Sequence, residues 1–207
     1  GFYREIVFRH LVYATGKGSA SHSIAIGDFN NDTRQDIVVT NSGNDNIGVF
    51  FGYGNGKFQN QTTYITGIGS RPQSVAVGDF NNDNYLDIVV ANYGNESIGI
   101  FLGLINGTFS NQIKYSIGFG SRPSSIIVFD FNKDNQLDIV ITDDGTSNVI
   151  MLVGFGNGSF GLLKKYRTGY NSQPCALAIA DFNNDFETDI TIANCGTNNI
   201  GFISHYC

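Results

Sequence analysis

The stretch "GDFNNDNYLD", residues 78–87, sets three carboxylates and three amides into ten positions between runs rich in Val and Ile. The same loop occurs four times, as "DFNNDTRQD" at 28–36, "DFNNDNYLD" at 79–87, "DFNKDNQLD" at 130–138 and "DFNNDFETD" at 181–189. The first aspartates, Asp28, Asp79, Asp130 and Asp181, are 51 residues apart each time. A fixed period of this size marks a repeat architecture.

Around the loops lie short Val/Ile/Phe-rich runs bounded by Gly and Asn, and no long stretch has apolar residues at helical spacing, so the fold class expected is all-β. In the second repeat "QSVAVGDF", "LDIVVANY", "SIGIFLG" and "GTFSNQIKY" read as strands A to D. Four antiparallel strands per unit of this length describe a propeller blade. Asn-Gly pairs in "GNGK" at 54–57, "INGT" at 105–108 and "GNGS" at 156–159 predict type I′ turns between strands C and D. With 207 residues, 14% charged, 17 Phe and 10 Tyr, the chain has the material for one packed domain over 1–207 and is far from a disordered composition.

Three aspartates in each of four loops account for 12 of the 18 acidic residues behind the net charge of −6. The acidity is therefore local, and no basic stripe argues for nucleic acid. Counting the first aspartate as position 1, side-chain oxygens fall at positions 1, 3, 5 and 9. These are Asp28, Asn30, Asp32 and Asp36; Asp79, Asn81, Asp83 and Asp87; Asp130, Asn132, Asp134 and Asp138; and Asp181, Asn183, Asp185 and Asp189. Arg34, Tyr85, Gln136 and Glu187 stand at position 7, where a backbone carbonyl completes the set. Oxygen-only donors with several carboxylates suit Ca²⁺ better than Mg²⁺, so about four structural calcium ions are expected. An Asx-rich turn without an ion is the alternative, but clustered carboxylates without a cation repel. No Glu at position 12 and no flanking helices match an EF-hand.

The segment "SVAVGDFNNDNYLDIVVANYGNESIGIFLG" resembles an FG-GAP or VCBS-type repeat, the blade motif of integrin α-subunit propellers and related extracellular proteins. The resemblance covers essentially the whole chain. It implies that each loop joins strands A and B of a blade and binds Ca²⁺ through the positions above. Family loops often carry Gly at positions 4 and 6, where this chain has Asn31 and Thr33, Asn82 and Asn84, Lys133 and Asn135, and Asn184 and Phe186. The chain opens on a D-type strand, "FYREIVFRHLVY", and ends on a C-type strand, "NNIGFIS". A closed four-bladed propeller is therefore expected, residues about 3–14 completing the blade built from about 175–204, which removes open edges. A fragment of a larger propeller, or a half-ring that dimerises, is the alternative.

In a simple hairpin register that sets Asp181 opposite Asp189, Cys175 lies opposite Cys195, which predicts a disulfide. The terminal Cys207 is left for an intermolecular bond. Sequons at Asn60, Asn95, Asn106 and Asn157 are candidate glycosylation sites, while the one at Asn31 lies inside a loop. With Gly1 first and Met151 the only methionine, the chain reads as processed; no apolar run is long enough to span a membrane. Together these predict an extracellular, secreted protein. His10, His22 and His205 have no motif-spaced partner, so no enzyme is expected. The leading function is a structural or adhesion module that meets a protein partner or copies of itself. The alternative is a lectin with pockets between blades, built on "GSRP" at 69–72 and 120–123 with Arg71, Arg122, Tyr93 and Phe119.

Overall fold

A computed structural model describes residues 10–204. It holds four antiparallel sheets, one per repeat, each in simple meander order. The first comprises β1 (Ser21–Gly27), β2 (Asp36–Asn41), β3 (Asn46–Phe50) and β4 (Thr62–Ile65). The second comprises β5 (Pro72–Gly78), β6 (Asp87–Asn92), β7 (Ser97–Phe101) and β8 (Ile113–Ser116). The third comprises β9 (Pro123–Phe129), β10 (Asp138–Asp143), β11 (Asn148–Gly154) and β12 (Phe160–Arg167). The fourth has three strands among the described residues: β13 (Pro174–Ala180), β14 (Asp189–Asn194) and β15 (Asn199–Ile203).

The second strand of a blade is a continuous apolar run because it is covered on both faces. All six residues of β6 are buried, and alternate ones serve different cores. Ile88 and Val90 pack with Val38, Ile47 and Val49 of the first sheet. Val89 and Ala91 pack with Ile126, Ile139 and Ile141 of the third. The period of two along one strand thus joins three blades. Close approach between blades also explains the glycine of "GDF". A Cβ on Gly27 would lie 2.5 Å from Leu86 Cδ1, and one on Gly78 would lie 2.6 Å from Leu137 Cδ1. At the equivalent third position the pair is Phe129 with Thr188, a large residue for the glycine and a smaller one for the leucine.

Three expectations need correction. The C-to-D turns are not type I′: Gly54, Gly56, Gly107, Gly156 and Gly158 have positive φ, whereas Asn55, Asn106 and Asn157 do not. The glycines absorb the left-handed backbone and the asparagines cap the turn, Asn106 Oδ1 accepting the Thr108 N–H at 3.2 Å and Asn157 Oδ1 the Ser159 N–H at 3.0 Å. Strand D is also shorter than read in the first two blades, reduced to four residues in β4 and β8 with an isolated bridge at Gly52–Phe58 and Gly103–Phe109. In the fourth hairpin Ala180, not Asp181, pairs with Asp189, and the register shifts between Pro174 and Ala176. Cys175 sits at that irregularity, which brings it to Cys195 in the expected disulfide.

Closure of a four-bladed ring is not seen among the described residues. Residues 1–9 of the expected closing strand lie outside them, and residues 10–14 are not in a strand. Tyr13 nevertheless has the place its repeat position implies. Its ring meets Phe50 and Phe58 edge to face, as Tyr64 meets Phe101 and Phe109 one blade on. Apolar faces are open at both ends of the row of blades. Ile24 is 60% exposed where its equivalents Val75 and Ile126 are 6% exposed, and Ile200 is 79% exposed where Ile47, Ile98 and Val149 are 0%.

Candidate functional site

All four aspartate loops join the first and second strands of a blade and share one hydrogen-bond scheme. In the second loop Asp79 Oδ1 accepts the Asp83 N–H at 3.1 Å and Oδ2 the Asn84 N–H at 2.8 Å. Asn81 Oδ1 accepts the same Asp83 N–H at 3.2 Å, so the oxygens of positions 1 and 3 face one locus. Asp83 Oδ1 accepts the Tyr85 N–H at 2.9 Å. Asp87 is buried, its Oδ2 accepting the Phe80 N–H and its Oδ1 the Gly103 N–H, each at 2.7 Å. The two residues "DF" thereby act together, since the Phe80 ring enters the core against Phe160 while its N–H ties down the loop's last aspartate.

Desolvation pushes the Asp87 carboxyl up to about 6, with the charges of Asp83 and Asp79 adding to the rise and the Gly103 and Phe80 N–H groups opposing it. Asp36 and Asp138 are raised for the same reasons. The first three loops therefore gather like charges that interact through a partly dry interior. The donor set fits a hard divalent cation: carboxylates at positions 1, 5 and 9, an amide oxygen at 3 and a carbonyl at 7, with no nitrogen or sulfur ligand. As they stand, no three His, Cys, Asp or Glu side chains among the described residues converge on a single metal-sized point.

Positions 4 and 6 explain the missing glycines. All eight residues there have left-handed φ, from 55° at Asn31 to 67° at Thr33. Asn tolerates that region, but a β-branched Thr33 or a bulky Phe186 does not, at a cost of about 1–2 kcal/mol. Thr33→Gly is expected to stabilise the protein by about 1 kcal/mol and Asn84→Gly to change it little. Urea midpoints in EDTA check this; a destabilised Thr33→Gly would refute the strain. Position 4 carries a brace that sequence reading missed. Asn31 Nδ2 donates to the Asn84 carbonyl at 3.1 Å, Asn82 Nδ2 to Gln136 Oε1 at 2.6 Å, and Lys133 Nζ to Glu187 Oε1 at 2.6 Å and to the Phe186 carbonyl at 3.1 Å. Each of the first three loops is thus tied to the loop of the following blade.

Opposite the loops, where the first strand of each blade begins, a cavity of about 610 Å³ lies between the second and third blades. Its lining includes Arg71, Tyr93, Glu96, Ser121 and Arg122. The Arg122 guanidinium stands over the Tyr93 ring, 5.9 Å from its centre, and the Tyr93 hydroxyl donates to Asp144 Oδ2 at 3.0 Å. Burial, and then Asp144, push the Tyr93 phenol up. Phe119, expected as a stacking face, is 97% exposed and outside the lining. Among the sequons Asn60, Asn106 and Asn157 are exposed, while Asn95 is partly covered and its Oδ1 accepts the Ser97 hydroxyl at 2.6 Å. His22 is exposed at the start of β1; Cys207 and His205 lie outside the described residues.

The FG-GAP-like repeat matches at residues 28–90, 79–141 and 130–192, each match running from one aspartate loop through the next. The chain belongs to the FG-GAP-like repeat family. It is 25% identical over 195 residues to Cartilage acidic protein 1 of Xenopus tropicalis, covering 88% of this chain and 29% of that protein. Among solved structures it is similar to the virginiamycin B lyase of Staphylococcus aureus, with a TM-score of 0.65 at 19% identity over 93% of this chain and 55% of that one. It is also similar to an Agrocybe aegerita lectin described as recognising non-reducing terminal N-acetylglucosamine, with a TM-score of 0.54 at 20% identity over 85% of this chain and 49% of that one. The FG-GAP chain thus spans less than a third of the curated relative and about half of each of these structures. These likenesses are of fold alone. No helix among the described residues is long and apolar enough to cross a membrane.

Proposed function

We propose that this FG-GAP chain is an extracellular, calcium-braced structural or adhesion module whose end faces receive further blades, including those of a second copy. The open end faces carry the reading. Ile24 and Ile26 on β1, and Ile200 and Phe202 on β15, are exposed at repeat positions that the three internal junctions cover. The two faces are the two halves of the same junction, so they complement each other head to tail. A likeness spanning about half of larger propellers favours a half-ring over a closed ring of four.

Calcium enters this reading through the donor set of the loops, and secretion through the Cys175–Cys195 disulfide, which suits an oxidising compartment. No catalysis is assigned. Non-reducing size-exclusion chromatography with light scattering, in calcium and then in EDTA, tests the assembly. A species near twice 22.5 kDa in calcium that splits in EDTA is expected. A monomer at all concentrations in calcium would refute self-association.

A second reading, glycan binding, is favoured by the cavity between the second and third blades, where Arg71, Tyr93 and Arg122 of the two "GSRP" repeats and their neighbour come together.

A further inference from the structure

We infer that the cavity between the second and third blades binds a sugar carrying a single negative charge, a uronate or a sulfate monoester; the inference rests on the glycan-binding reading and gives it a ligand class. The repeat position just before the first strand of each blade carries Ala20, Arg71, Arg122 and Gln173 in turn. At that position the side chain lies over a glycine. A Cβ on Gly94 would meet Arg71 Cγ at 3.2 Å, and one on Gly145 would meet Arg122 Cγ at 3.0 Å. The backbone N–H groups are held as well, Arg71 by Asp45 Oδ1 at 2.9 Å and Arg122 by Asp143 Oδ1 at 2.7 Å. The stems are therefore placed, and both arginines line one cavity.

Among the described residues neither guanidinium has an ion-pair partner. The ion pairs among the described residues are Arg34 with Asp32 and Lys133 with Glu187. The acids nearby are committed elsewhere, Glu96 Oε1 accepting the Gly120 N–H at 2.9 Å and Asp144 Oδ2 the Tyr93 hydroxyl. Two cations without an ion pair at one concavity, Arg122 being supported only by Tyr93, are out of character for a chain of net charge −6. Against them the lining sets one carboxylate, Glu96, so the cavity suits one negative charge better than a phosphate dianion. A guanidinium presents paired donors that match a carboxylate or sulfate. The volume is that of a small-ligand site, and Ser121, Tyr93 and glycine backbone offer a polar wall to a hydroxylated ring. The other junctions lack the set: Ala20, Ser42 and Arg71 stand at one, and Arg122, Asp144 and Gln173 at the other.

The test is calorimetric titration of the chain with a hyaluronan disaccharide, which carries one glucuronate, its carboxyl-reduced counterpart, a neutral N-acetylglucosamine dimer and an aspartate-rich peptide. The acidic sugar is expected to bind about tenfold tighter than its reduced form, one charge-assisted contact being of that order. Arg71→Ala and Arg122→Ala should each weaken it about tenfold, with Gln173→Ala unchanged. Arg71→Gly, which accepts the left-handed backbone at this position (φ 43°), gives the same loss with an unstrained loop. Equal binding of charged and neutral sugars would overturn the charge assignment and leave the glycan reading standing. Tighter binding of the peptide would overturn the sugar assignment, and no binding of any sugar would end both.

Discussion

Calcium added to chelated protein at pH 7 is expected to raise the melting temperature by on the order of 20 °C. Each independent site contributes about 2.7 kcal/mol when the ion is present at about 100 times its Kd, and four loops share one donor pattern. The ion replaces repulsion among three carboxylates with attraction, and the braces from Asn31, Asn82 and Lys133 pass the ordering of one loop to the next. Magnesium at the same concentration should do much less, because it resists a flexible cage of this kind. Melts that coincide in calcium and EDTA would remove the metal from the account. The pH dependence in EDTA has a definite sign. Asp87 titrates at about 6 in the folded protein, above the roughly 3.9 of an unfolded aspartate, so the folded state holds the proton more tightly. The resulting stability is fully present below about pH 4 and is lost as the pH rises through about 6. With calcium bound the trend reverses, since the ion needs the ionised form.

Asp87→Ala is expected to destabilise the metal-free protein by about 3–5 kcal/mol, while Asp83→Ala in the same loop costs less than about 1 kcal/mol. Asp87 is buried and takes the N–H groups of Phe80 and Gly103, so its removal leaves two interior donors without acceptors. Asp83 is exposed and accepts the Tyr85 N–H, a group that water can reach. In calcium each variant should lose the stabilisation of one ion in addition, so the gap between the two persists. Urea unfolding of both variants, with and without EDTA, separates the two roles. Equal losses in EDTA would show that position 9 is no more structural than position 5.

The division of labour inside "DFNNDNYLD" was only half legible from the chain. Three aspartates at fixed spacing announced a cation loop, and the spacing treats them alike. Burial makes them differ, and burial is decided by where Phe80 and Gly103 bring their backbone, 16 residues apart across the blade for the latter. Similarly, position 4 shows in the chain only as a departure from glycine, although Asn82 reaches Gln136 of the next blade. That contact spans 54 residues and no local pattern encodes it.

By itself the sequence determined the all-β class, the four units of 51 residues, the strand order within a blade, the placing of the aspartate loops between first and second strands and the partner of Cys175. These are local: period-two apolar runs, turn residues and a repeated motif act within one unit, and repetition multiplies the signal. Tertiary structure decided the one-residue register at Ala180–Asp189, the shortness of β4 and β8, the braces between loops and the pairing of Arg71 with Arg122 around one cavity. It also decided that Ile24 and Ile200 face outward while their repeat equivalents are covered. Each of these depends on the distance and angle between successive blades, which arise from side chains meeting across a junction and leave no periodic trace along the chain.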